Sequence, residues 1–125
     1  MSAPAASEWR PPPYEVGRPP SLDPWRVGDW LNQDKDKRDY VRPCRIDLAL
    51  RVLRAVGVHV GRDYLYLLAL VSRAIEPERR RDSLAWSHHR EVAHLDSNAQ
   101  DVFLELAEQE ELSCPALREV IRSEA

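Results

Sequence analysis

His88, Glu91 and His94 recur at every third residue, so on a helix they share one flank, as metal ligands can. The order is wrong for a zinc enzyme. A helical His-Glu-x-x-His pair is absent, and the reversed motif would need histidine where Val92 stands. His59 is the remaining histidine, and no second ligand cluster accompanies it. Cys44 and Cys114 lie far apart, match no metal or redox spacing, and read as packed thiols. Four scattered glycines form no phosphate loop. The expectation is a protein with no metal, no cofactor and no catalytic activity.

Binding a polyanion is the chemistry these residues could do. Arg79, Arg80 and Arg81 follow Pro77 as a cationic turn able to grip phosphates, and His88, His89 and Arg90 open the next helix. Arg62, Tyr64 and Tyr66 stand near the start of another helix, where base-edge contacts normally lie. The net charge of −3 argues against a simple nucleic-acid binder, but its distribution restores the idea. Residues 42–95 carry ten arginines against six acids, whereas residues 96–125 carry two against eight. Only the middle of the chain suits phosphate; the acidic end would face away from it or toward a protein.

The elements that must position these groups read as helices. Seven of the ten prolines fall in the first 24 residues, which predicts a disordered proline-rich arm over 1–22. One domain is expected over 23–125, since 125 residues with 43% hydrophobic content suffice for one core. Asp23-Pro24 should start a helix running to Asn32, with Val27, Trp30 and Leu31 inward and Gln33–Asp39 following as a solvated loop. Arg45–Val56 should bury Ile46, Ala49, Leu50, Leu53 and Val56 and leave Arg45, Arg51 and Arg54 mainly to the other sides. After a turn from Gly57 to Gly61, Arg62–Ile75 should bury Leu65, Leu68, Ala69, Ser72 and Ile75. Helix, glycine turn, helix is the helix-turn-helix pattern. The turn is long for that motif and the second helix unusually apolar, so a plain buried bundle helix is the competing reading.

Beyond Pro77, Ser87 should cap a helix carrying Val92, Ala93 and Leu95, and Ser97-Asn98-Ala99-Gln100 fits a capping box. Ala99, Val102, Phe103, Leu106 and Ala107 form the next apolar face. Ser113, with Pro115 in the first turn, should open a last helix bearing Leu117, Val120 and Ile121. The fold class expected is all-α, a small helical bundle containing a helix-turn-helix.

Leu84 to Val92 resembles the Leu-Ser-x-Gly-His-Ala-Arg-Ala-Leu segment that follows the helix-turn-helix of ParB and KorB type partition proteins. Ser87 stands where that family has glycine, and His88 and Arg90 match its histidine and arginine. Arg45–Ile75 occupies the place of the helix-turn-helix, and Leu112, Ser113, Leu117 and Arg118 resemble the family's Leu-Ser-x-x-x-Leu-Arg ending. Small phage and plasmid proteins that start Trp-x-x-Gly-x-Trp-Leu are also similar, through Trp25, Gly28, Trp30 and Leu31. The family's Gly-Glu-Arg-Arg nucleotide motif is absent, so no nucleotide-driven clamp is implied.

The resemblance implies a sequence-specific double-stranded DNA-binding protein of a phage or plasmid, a transcriptional repressor or a replication or partition accessory. It would be homodimeric, because one reading helix gives limited affinity, and cytoplasmic, associated with the nucleoid. The alternative is an adapter or inhibitor that keeps the scaffold and docks its acidic C-terminal helices on a host protein. No membrane partner is expected, because the longest apolar run, Tyr64–Val71, is far shorter than the ~20 residues a span needs.

Overall fold

The structure is a computed structural model that describes residues 22–124. The arm expected over 1–22 lies, save Leu22, outside the described residues. Those residues are all-helical, a small helical bundle in class, with no strand beyond an isolated Lys35–Val41 bridge. They fall into two compact units that divide between Arg73 and Ala74. Residues 23–125, read from the sequence as one domain, are thus shared between the two.

In the first unit, α1 (Pro24–Leu31) is capped by the Asp23 carboxylate, which accepts from Arg26 N at 3.3 Å, with Pro24 in the first turn. Val27 and Leu31 are fully enclosed. The chain then closes a tight loop in which Asp36 Oδ1 accepts from the Arg38 and Tyr40 amides at 2.7 and 3.1 Å. Helix α2 (Pro43–Ala55) begins two residues before the expected Arg45, because Pro43 suits the first turn. It ends in a Schellman turn: Val58 N donates to Leu53 O and Gly57 N to Arg54 O, with Gly57 at φ 86°. Helix α3 (Arg62–Ala74) buries Leu65, Leu68, Ala69, Val71 and Ser72. A Cβ on Gly28 would fall 2.5 Å from Leu68 O, so α1 meets the α3 backbone there, and Asn32 Nδ2 donates to Ala69 O at 2.8 Å.

In the second unit, one turn of 3-10 helix at Pro77–Arg79 leads to α4 (Trp86–Val92), α5 (Ser97–Gln109) and α6 (Cys114–Glu124). Ile75, Val92, Leu104, Ala107 and Leu117 form its core, with Leu84, Leu95, Phe103, Leu112 and Ile121 packed around it.

Three local expectations are corrected. Ser87 lies inside α4 and Ala85 holds the cap position; the Ala85 amide is satisfied by His88 Nδ1 at 3.2 Å. Asp96, not Ser97, caps α5, accepting from Ala99 N at 2.8 Å. Gln100 turns inward to donate to Ala93 O and Leu95 O. The buried face of α5 therefore passes through Leu104, and Val102 is left 62% exposed. Ser113 caps α6 as expected, its Oγ accepting from Ala116 N.

Candidate nucleic-acid interface

Charge divides along the structural boundary. Residues 22–73 carry ten basic and seven acidic side chains, and residues 74–125 carry six and twelve. A polyanion is therefore drawn to the first unit and repelled by the second.

Within the first unit, Arg51 and Arg54 stand exposed three residues apart on α2, neighbours on the helix surface. Arg26, Lys37 and Arg38 are exposed as well. Arg62, at the start of α3, is engaged by Asp47 of α2, whose carboxylate holds the guanidinium pKa above its ordinary value. Tyr64 is half-buried. Tyr66 is half-buried too, and lines a groove of about 480 Å³ with Tyr40, Val41, Pro43, Leu70 and Arg73. The outer face of α3 thus offers Arg62 and Tyr64 in its first turn, Tyr66 in its second and Arg73 in its last, with Leu70 exposed among them.

Arg45, expected mainly on the outer sides of its helix, lies inside. It is 5% exposed, its guanidinium stacks 3.6 Å over the Trp30 ring, and Nη2 donates to Trp30 O at 2.9 Å. Burial lowers its pKa, against the pull of Asp34. The available signal was Arg45 standing beside Ile46 at the edge of the buried face, where a long stem can reach a preceding aromatic.

The arginine run belongs to the second unit and is engaged there. Arg79 donates through Nη2 to Gln100 Oε1 (2.6 Å), Ser97 O (3.1 Å) and Asp101 Oδ1 (3.2 Å), and through Nη1 to Glu76 (3.0 Å). It ties the 3-10 turn to the start of α5. Arg80 Nε donates to Ile75 O at 2.9 Å. Arg81 pairs with Glu108, which also accepts from Ser83; both contacts hold that carboxyl below its ordinary range, Ser83 most strongly.

The histidines are structural in their contacts. His88 Nδ1 accepts from Ala85 N, so Nε2 carries the proton and donates to Leu112 O at 2.8 Å, tying α4 to the turn before α6. His89 is fully enclosed: Nε2 accepts from Arg81 N at 3.0 Å, and Nδ1–H donates to Ala85 O at 2.9 Å. Burial chiefly holds its pKa below the ordinary value, and His88, Arg80 and Arg81 add to the effect. Arg90 is exposed. Glu91 is claimed by Arg118, which donates to it from Nη2 at 2.7 Å and from Nε, so the carboxyl stays well ionised. No group of three or more His, Cys, Asp or Glu side chains among the described residues could hold a metal ion. Cys114 donates to Ser87 Oγ at 3.2 Å, a packed thiol, whereas Cys44 is exposed at the second position of α2, contrary to expectation. No helix of the described residues is long and apolar enough to cross a membrane.

The geometry defines a small all-helical protein with a basic first unit and an acidic second one. The chain is 36% identical over 104 residues to the transcriptional regulator NovE of Streptomyces niveus. The match takes in 79% of this chain and 42% of that protein, so the chain spans less than half the length of the curated relative. No family model and no solved structure matches it.

Proposed function

We propose that this protein regulates transcription by binding double-stranded DNA through its first unit. The carrying observation is the coincidence of the charge division with the boundary between the units: ten basic against seven acidic groups over residues 22–73, six against twelve over residues 74–125. The relative's printed name, a transcriptional regulator, supports the same reading. In this proposal α2 and α3 act as the helix-turn-helix that the partition-protein resemblance implies. Arg51 and Arg54 meet phosphates, and Arg62 and Tyr64 reach base edges from the first turn of α3. The intramolecular engagement of Arg79 and Arg81 makes them supports of the second unit and weakens the case for them as phosphate ligands. Of the regulatory roles open to such a protein, repression needs nothing beyond occupancy of a site.

The test is binding to promoter DNA followed across salt concentrations. A linear fall of log affinity with log salt supports the reading, and salt-independent or absent binding defeats it. The acidic surface of α5 and α6 favours one second reading, docking on a host protein. That reading gains if reversing Glu105 and Glu110 to lysine abolishes regulation in cells while DNA binding in vitro is unchanged.

A further inference from the structure

Two large hydrophobic side chains stand exposed among the described residues of the first unit, Tyr40 (62%) and Leu70 (45%), and both line its concave groove. Tyr66 and Pro43 line it as well. Tyrosine and proline walls around a small groove suit an extended proline-rich strand, whose rings pack against aromatic faces. Such a strand makes no backbone hydrogen bonds of its own, so its carbonyls are open to donors, and tyrosine hydroxyls are donors of that kind. A stiff strand also loses little entropy on binding. A groove of modest apolar area is therefore enough for it.

The chain carries a matching strand in its own N-terminal arm, outside the described residues. Arg10-Pro11-Pro12-Pro13-Tyr14-Glu15 sets a cation before three prolines and an anion after them. The groove carries both opposites. Asp36 lines it while accepting from the Arg38 and Tyr40 amides, and Arg73 lines it while donating one N–H to the Asp39 carbonyl at 2.8 Å. Both are held by backbone groups, which leaves their net charge to an incoming side chain.

The tether is long enough. Gly28 abuts the Leu68 carbonyl, one residue from Ala69 of the groove, and Leu22 precedes Gly28 by about 10 Å, mostly helix. The eight residues from Tyr14 to Leu22 cover about 25 Å as polyproline II. Tethering also raises the local concentration of the strand to roughly millimolar, so a contact too weak for a free peptide is occupied within one chain.

We infer that residues 10–15 of the chain's own N-terminal arm dock as a polyproline II strand in the groove lined by Tyr40 and Tyr66, with Arg10 toward Asp36 and Glu15 toward Arg73. This docking holds whether or not the first unit binds DNA.

Nuclear magnetic resonance of the isotope-labelled full chain tests it. Wild-type spectra should show nuclear Overhauser contacts from the rings of Pro11, Pro12 and Pro13 to those of Tyr40 and Tyr66, and Tyr14 and Glu15 amides more ordered than those of residues 2–7. Tyr40→Ser and Leu70→Ser should each abolish the contacts. Replacing Pro11, Pro12 and Pro13 together by glycine should do the same. Far-UV circular dichroism checks folding, and if a groove variant loses helicity the glycine replacement decides, since it changes no described residue. Glu15→Arg and Arg73→Glu should each lower the docked-to-free ratio about threefold, and the two together should restore it, which a merely structural Arg73 would not do. Tyr14 and Glu15 amides as mobile as residues 2–7, with no ring contacts, overturn the inference. Order at Tyr14 and Glu15 that survives the glycine replacement overturns it too. So do contacts seen only between differently labelled chains in a mixed sample, which would give the groove to the arm of a second copy.

Discussion

The guanidinium of Arg45 lies flat over the Trp30 ring, 3.6 Å from its centroid, and the same group donates to the Trp30 carbonyl from both Nη2 (2.9 Å) and Nε (3.3 Å). One side chain thus fastens the second helix to the end of the first through a stacked cation and two hydrogen bonds. Arg45→Leu should destabilise the protein by about 2–3 kcal/mol, because a charge-assisted bond to a buried carbonyl and a desolvated cation–π contact are lost together. Arg45→Lys should recover only part of this, lacking the planar fork. Urea unfolding followed by tryptophan fluorescence measures both, and a lysine variant as stable as wild type would refute the geometry.

Gly28 is where α1 meets α3. An added Cβ would stand 2.1 Å from Ser72 Oγ and 2.5 Å from Leu68 O. Gly28→Ala should cost about 3 kcal/mol through forced separation of the helices. Combining it with Ser72→Gly should not restore stability, because the Leu68 carbonyl is backbone and cannot be trimmed. Full recovery of the melting temperature in the double variant would show that only the serine obstructs.

Glu111 follows α5 in the left-handed region at φ 50°, closing a Schellman turn in which Leu112 N donates to Ala107 O and Glu111 N to Glu108 O. A residue with a Cβ is strained there and glycine is not. Glu111→Gly should raise stability by about 1 kcal/mol. An unchanged or lower unfolding midpoint would contradict the strain.

His89 sets a pH dependence whose sign follows from its depressed pKa. The folded state holds the ring neutral between the Arg81 amide and the Ala85 carbonyl, with His88, Arg80, Arg81 and Glu108 as charged or titrating neighbours. The unfolded chain takes up the proton first, near the ordinary value of 6.5, so stability is full above that pH and falls as pH drops toward the folded pKa. The carboxylates held low, Glu76, Glu91 and Glu108, begin to lose their contributions only below their ordinary value of 4.5. Denaturant unfolding between these limits should show stability falling with pH in the wild type and a flatter profile in His89→Gln. Equal slopes would remove the histidine from the account.

For the proposed DNA complex, Arg51→Ala and Arg54→Ala should each lower affinity for all sequences and reduce the log-log salt slope by about one unit. Arg79→Ala should leave that slope unchanged and instead lower stability by about 2 kcal/mol, since its partners Gln100 and Asp101 lose a donor. The reverse pattern would return the phosphate site to the arginine turn.

What the sequence determined by itself is what depends on near neighbours along the chain. The recurrence of apolar residues at helical spacing placed the six α-helices of the described residues, and Asp23-Pro24, Gly57 and Ser113 marked their ends, because caps and turns are satisfied within a few residues. The contrast between a basic middle and an acidic end was equally legible, being a count. Tertiary structure decided what each polar side chain is used for. Arg45 goes inward because Trp30, on another helix, offers a ring and a carbonyl; His89 is enclosed because the Arg81 amide needs an acceptor; Leu104 displaces Val102 because the partners of α5 approach that side. Arg79 and Arg81 looked like phosphate ligands while their acids lay twenty or more residues away in sequence, and the fold brings Asp101 and Glu108 against them. A long side chain chooses its partner by distance in space, which spacing along the chain does not encode.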